Sequence, residues 1–320
     1  MRVWMILLGV ALLSIVACSD ATDEAKVDEA EAVAITGKLA PKGAKLNIVA
    51  SLPSLTSIAM AIAGEHASVA MLMPAGTDPH EFQPTMRDRA RLEAADILII
   101  NGLGMEMWNA ASICASSKIK LIDCSQGVEE SFLIHAEEHD HSHDHAHDHG
   151  EHNPHIWLCA DGAAKQAKII GDALLIADPS NGASYKRNLA TLIEKLQAAR
   201  DMGRLALTEH QGKAFATEHD AFPYLAREAG LEVRSMMRIP SDGLSVKRRA
   251  DLEAKLQKDG VRVIFQELGA LNKSAAQTVA EAVGARVGTL DPLALTDPNA
   301  DSIVDVLKKN YSALAQAFAE

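Results

Sequence analysis

The sequence predicts an α/β protein of two α/β lobes, each with a mainly parallel sheet, joined by one long linking helix. Short aliphatic or β-branched runs alternate with longer stretches of helical periodicity, the βα rhythm that parallel sheets require. The rhythm breaks in the middle of the chain, where a long amphipathic stretch stands, and then resumes with a similar number of strands. At 320 residues the chain is long enough for two cores of ordinary size.

The elements follow in order. Residues 1–18 begin with Met1 and Arg2, run through an apolar stretch and reach Ile15-Val16-Ala17-Cys18. The apolar run is short for a membrane span, and a small residue directly before cysteine is what processing at a lipidated cysteine needs, so Cys18 is expected to be the acylated N-terminus after an export signal. Residues 19–45, rich in Ala, Asp and Glu and without an aromatic, read as a flexible tether. The first lobe, 46–180, has strand-like runs at 46–50, 68–73, 96–101 and 120–123, with helical intervals at 55–64 and 87–95 and a helix from 160 to about 176. Asp178-Pro179-Ser180 then punctuates the chain. Within the linking segment 181–207, Leu189, Leu192, Ile193, Leu196 and Ala199 make an apolar stripe with no Gly or Pro between residue 185 and Gly203. The second lobe, 208–320, has runs at 213–217, 231–239, 261–267 and 285–290.

One segment inside the first lobe does not fit this rhythm. Residues 135–152, HAEEHDHSHDHAHDHGEH, hold eight histidines (His135, His139, His141, His143, His145, His147, His149, His152) and six acidic residues. Neutral imidazoles bind borderline metals such as Zn²⁺, and the carboxylates between them raise the local cation concentration. The composition suits an auxiliary metal-collecting loop. It carries too little apolar surface to fold alone.

Composition excludes other classes. A net charge of −12 argues against nucleic acid, which needs a basic face. No G-x-G-x-x-G or G-x-x-x-x-G-K is present, so nucleotide binding has no support. Beyond Cys18 the cysteines are Cys114, Cys124 and Cys159, without a Cys-x-x-Cys. An oxidising compartment would permit a Cys114–Cys124 disulfide, but packing in a buried setting is the expected role of each.

Four candidate ligands outside the loop fall at or beyond the carboxyl ends of predicted strands, where open α/β sheets present their sites. They are His80, His155, His219 and Asp291. Glu267, which ends the 261–267 run and faces the same side by strand alternation, and Glu81, beside His80, are each expected as a support for a ligand or an alternate ligand. His66, His210, Trp108 and Trp157 are expected to be surface or packing residues.

Three of these segments carry a resemblance. Gly76-Thr77-Asp78-Pro79-His80-Glu81-Phe82-Gln83-Pro84-Thr85, Pro154-His155-Ile156-Trp157-Leu158 and His219-Asp220-Ala221-Phe222-Pro223-Tyr224 are similar to the ligand segments of the metal-binding receptors of ABC-type zinc and manganese importers, in particular the zinc-selective, ZnuA-like branch. The similarity extends over residues 46–320 and includes the acidic His-rich loop before the second ligand. It implies a metal site in the interlobe cleft, with His80 and His155 from the first lobe and His219 and Asp291 from the second. Three imidazoles and one carboxylate favour tetrahedral Zn²⁺ over Mn²⁺. It further implies an extracytoplasmic, lipid-anchored monomer, in the periplasm or on the cell surface, that delivers Zn²⁺ to a membrane permease with its ATPase and catalyses no reaction. An Mn²⁺ or Fe²⁺ receptor of the same fold, a zinc buffer or adhesin, and, further off, a zinc hydrolase with Glu81 or Glu267 as base are the alternatives. Two departures from the family pattern stand out: Cys159 where an acidic residue is common, and Pro223 where glycine is common.

Overall fold

A computed structural model describes residues 45–74, 76–136, 151–236, 245–269, 273–293 and 298–319. Cys18, the 19–44 segment and His139, His141, His143, His145, His147 and His149 lie outside the described residues.

Two four-stranded sheets, both wholly parallel, form the frame. The first contains β1 (Leu46–Ala50), β2 (Ala67–Met71), β3 (Ile97–Ile100) and β4 (Lys120–Asp123) in the order β2-β1-β3-β4. The second contains β5 (Ala214–Thr217), β6 (Glu232–Met236), β7 (Val263–Glu267) and β8 (Arg286–Leu290) in the order β6-β5-β7-β8. Central strands are covered on both faces and read as apolar runs: all four residues of β3 are buried. The edge strand β2 alternates instead, with Ser68 and Ala70 exposed. After β2 the regular ladder ends two residues before the sequence expectation, although Leu72 N still donates to Ala50 O at 2.8 Å.

Helices α1 (Pro53–Ala63), α2 (Met86–Glu93), α3 (Ala110–Ser117) and α4 (Ala160–Ala177) belong with the first sheet, and α6 (Pro223–Ala229), α7 (Val246–Lys258), α8 (Lys273–Val283) and α9 (Ser302–Ala319) follow the long α5 (Gly182–Ala206). Local chemistry sets several starts. Pro53 opens α1 and Pro223 opens α6, each at a position where proline's missing N–H costs nothing. Asn109 Oδ1 accepts from Ser112 N at 2.8 Å at the head of α3, and Ser245 Oγ from Arg248 N at 3.3 Å at the head of α7. α5 begins at Gly182, where Asp178 accepts hydrogen bonds from Asn181 Nδ2 and Tyr185 Oη and winds the chain into the helix.

The long helix joins the halves by packing rather than by spanning open space. α5 packs against α1 and α4 of the first half and α6 and α9 of the second. One apolar core runs from Leu46, Ile48 and Leu98 of the first sheet through Leu192 and Leu196 of α5 to Phe215 and Phe265 of the second. Each fully buried side chain of this kind contributes about 1.5–3 kcal/mol relative to exposure. Gly203 permits close approach: a Cβ there would stand 2.4 Å from the Tyr311 ring of α9. Polar ties reinforce the joint, since Ser57 Oγ of α1 donates to Asn299 O at 2.6 Å and accepts from Ile303 N at 3.0 Å. A separate cluster of Ala216, Leu256, Val261, Ile264, Ala276, Val279, Ala280 and Val283 fills the other face of the second sheet under α7 and α8.

Cys114, Cys124 and Cys159 are buried free thiols, and burial pushes the Cys114 thiol up to about 11. Trp108 and Trp157 are buried packing residues, and no described helix is long and apolar enough to cross a membrane.

Candidate metal centre

His80, His155 and His219, far apart in sequence, come together. His80 Nε2 lies 3.2 Å from His155 Nε2, and His219 Nε2 lies 3.4 Å from the same atom. Their ligand atoms form a group within 4.8 Å of one another.

Each imidazole is aimed by its own local structure. His155 sits at the head of the 3₁₀ turn Ile156–Leu158 and is 4% exposed, deep enough that its ring must have partners. Asn153 Oδ1 accepts from His155 N at 3.0 Å and sits 3.1 Å from His155 Nδ1. A carboxamide oxygen can only accept, so this contact puts the proton on Nδ1 and leaves the Nε2 lone pair facing the other histidines. Asn153 Nδ2 donates to Asp220 O at 2.7 Å, tying the His155 turn to the His219 turn. Pro154 O accepts from buried Asn101 Nδ2 at 2.9 Å, and Gln166 Nε2 of α4 donates to Asn101 Oδ1 at 2.8 Å.

His219 follows β5 by two residues, and Glu267 ends β7. The chain passes from β5 to β6 on one side and returns to β7 on the other, so these two residues flank the point where strand order reverses. Glu267 Oε1 touches His219 Nδ1. Burial opposes a charge on His219 and is the largest single influence on it, yet the Glu267 carboxylate, with Asp78 and Asp220, outweighs it and holds the imidazole above its usual pKa. Glu218 Oε2 in turn accepts from Glu267 N at 2.9 Å, and burial holds Glu218 above the usual carboxylate range. His80 is set by the turn before it, where its N–H donates to Asp78 Oδ1 at 2.9 Å.

The donor geometry suits zinc. Two nitrogens each about 2.0–2.1 Å from a tetrahedral ion stand roughly 3.3 Å apart, close to the two separations here. With Nδ1 of His155 and His219 turned toward acceptors, their Nε2 lone pairs face each other, which is repulsive unless a proton or a cation lies between them.

Asp291 and Glu81 are not in the convergent group. Asp291 Oδ1 instead accepts from Leu293 N at 2.7 Å. It is still nearby in the fold, because Trp157 Nε1 donates to Pro292 O at 3.2 Å. Glu81 is exposed. His135 and His152 lie at the two ends of the His-rich segment and form a separate cluster with Glu130.

Sequence reasoning missed Asn153, Asn101 and Glu228. Asn153 before Pro154-His155 carried a signal, since Asx side chains commonly bond the backbone two residues on. The departure at Cys159 finds its explanation in Glu228. Cys159 Sγ accepts from Gly162 N at 3.3 Å as a weak cap of α4, while Glu228 of α6 accepts from Ala160 N and Asp161 N, both at 2.8 Å. The carboxyl cap of α4 therefore comes from the second half of the chain, and Tyr311 Oη of α9 donates to it.

The family described as "Zinc-uptake complex component A periplasmic", ZnuA, matches residues 48–317. The chain belongs to the ZnuA family. Zinc-binding lipoprotein AdcA of Streptococcus pneumoniae is 30% identical over 280 residues, covering 85% of this chain and 56% of AdcA. The chain thus spans about half the length of the AdcA relatives it matches. A crystal structure of ZnuA superposes with a TM-score of 0.71 at 26% identity, covering 86% of this chain and 99% of the other. The solute-binding protein FpvC of Pseudomonas aeruginosa in complex with Mn²⁺ does so with 0.73 at 26% identity, over 86% and 99%. ZnuA-family membership agrees with the resemblance carried by the His80, His155 and His219 segments, and both sheets have the parallel α/β form it implies.

Proposed function

We propose that this chain is the extracytoplasmic zinc-binding receptor of an ABC-type importer, handing Zn²⁺ to a membrane permease driven by an ATPase. The convergence of three imidazole Nε2 atoms, two of them with Nδ1 held by acceptors, carries the reading. Zn²⁺ is the cargo. His80, His155 and His219 hold it; Asp291 closes the fourth position once the ion is present, and Glu267 orients His219 from behind. Nitrogen-rich donors of this kind select Zn²⁺ over Mn²⁺, which prefers oxygen. Four protein donors would leave no open position for water attack, which argues for a receptor without enzymatic turnover.

Family membership and the zinc-binding lipoprotein relative support this reading, and the export signal with Cys18 supports a tether to a membrane by lipid. The shared core around α5 supports capture by movement of the ligand turns rather than by a wide hinge. The 139–149 histidines would collect further Zn²⁺ and pass it to the cleft.

Metal content and competitive Zn²⁺ against Mn²⁺ titration, on protein beginning after Cys18, test the proposal. One tight, zinc-preferring site abolished in Asp291→Asn/His155→Ala protein is the expected result. Preference for Mn²⁺ would move the chain to the manganese or iron receptors, as the Mn²⁺ complex of FpvC illustrates for a protein of this fold.

A further inference from the structure

Glu130, His135 and His152 form a second constellation whose ligand atoms lie within 4.8 Å of one another. It is built on ordered backbone at the two ends of the His-rich segment. His135 and His152 pair across an antiparallel bridge flanked by hydrogen bonds from Ala136 N to Glu151 O at 3.1 Å and from Asn153 N to Ile134 O at 2.7 Å. Residues opposed across such a bridge send their side chains to the same face, and the two rings lie 4.8 Å apart, tilted by 31°. Glu130, in the 3₁₀ turn Glu130–Phe132, brings its Oε1 to 2.7 Å from His152 Nε2.

His152 supplies a second, independent observation. The residue is 9% exposed, and its buried Nε2 has no partner in hydrogen-bond alignment, even with the Glu130 oxygen in contact. A buried ring nitrogen held against a carboxylate oxygen with no N–H in line is unfavourable. A cation shared by the two atoms removes the cost, because a metal needs the lone pairs to converge and needs no N–H in line.

We propose that Glu130, His135 and His152 bind a second divalent ion of the zinc class, separate from the cleft site, that clasps the two ends of the His-rich segment. Two imidazoles and one carboxylate form a known zinc donor set, with the fourth position left to water. The clasp abuts the cleft through short steps. Ile134 N donates to Tyr224 Oη at 3.1 Å, Tyr224 Oη donates to Asn153 O at 2.8 Å, and Asn153 holds both His155 and the Asp220 carbonyl. An ion at the clasp therefore fixes the strap from which His155 is hung. With the Glu130 side chain 74% exposed, exchange with solvent is direct and binding is weaker than in the cleft.

The test uses the full chain with His139, His141, His143, His145, His147 and His149 replaced by serine, titrated with Co²⁺ and followed by its visible absorption, and with Zn²⁺ by calorimetry. Two equivalents are expected, the weaker lost when Glu130→Gln and His135→Ala are added, while the tight equivalent remains. His152 is left in place because its burial makes it a folding risk. Adding His155→Ala instead should remove the tight equivalent and leave the weaker one, so failure of the cleft reading and failure of the clasp are told apart. A single equivalent in the serine background, or a weaker equivalent untouched by the Glu130 and His135 substitutions, overturns the proposal.

Discussion

The two sheets share one strand order yet present the convergent histidines in opposite ways. In the second sheet His219 stands two residues past β5, with Glu267 behind it at the last position of β7. In the first, His80 lies nine residues beyond β2 and His155 thirty-two beyond β4. The second half thus fixes its imidazole by strand geometry. The first fixes its pair by hydrogen bonds, through Asp78, Asn101 and Asn153. A parallel sheet can support a site on its loops only where side-chain hydrogen bonds replace the missing ladder.

That contrast can be broken at four points. The largest effect should come from His155→Ala, which removes the nitrogen common to both short contacts. Zinc affinity in competitive titration should fall by more than about 100-fold, beyond the usual loss from removing a group behind a ligand. Asn153→Ala should cost about 10–100-fold while leaving all three imidazoles present. An unchanged affinity there would mean that the first lobe's turns hold themselves without it.

Glu267→Gln probes the second lobe. Because Glu267 raises the His219 pKa, protons compete with metal from a pH above the ordinary histidine value of about 6.5 downward. Removing the carboxylate should lower the acid midpoint of zinc release and also weaken binding at neutral pH by about 10-fold, as a zinc titration at several pH values would show. In the metal-free protein the sign reverses: the protonated His219–Glu267 contact stabilises the fold below the unfolded pKa and is lost as pH rises through the elevated value. A midpoint unmoved by the substitution would leave Glu267 without a role in orienting His219.

Gly203→Ala should have the smallest effect on metal. The added Cβ meets Tyr311, so thermal unfolding should show a loss of about 1–3 kcal/mol, with zinc affinity within about twofold of the parent. A matching loss of affinity would show that the α5–α9 joint sets the cleft, and the contrast between lobes would then matter less than their shared core.

Most of the frame was legible in the sequence because burial on both faces of a parallel sheet leaves apolar runs, as in Ile97-Leu98-Ile99-Ile100, and a long amphipathic stripe admits one conformation. His80 and His219 were legible as ligand candidates because each lies beyond a strand in a polar, turn-rich segment, and His155 because it follows the His-rich segment directly in Asn153-Pro154-His155. The identical strand order of the halves was not, since it depends on which strand ends pair in space and the two halves share no evident sequence repeat. Nor were the hydrogen bonds that Asn181 and Tyr185 make to Asp178 at the head of α5, because periodicity cannot register side-chain contacts.

By itself, then, the sequence determined the residue types that can hold a borderline metal, their order along the chain and the alternating elements that carry them. Tertiary structure alone decided that three histidines up to 139 residues apart bring their Nε2 atoms to one point while Asp291 does not join them. It also decided that Asn153 and Glu267 set the imidazoles, that Glu228 caps α4 in place of the acid missing at Cys159, and that Glu130 meets His135 and His152. The physical reason is range. Propensity and periodicity act over a few residues, whereas a ligand set is fixed by contacts between segments that only the folded core brings within bonding distance.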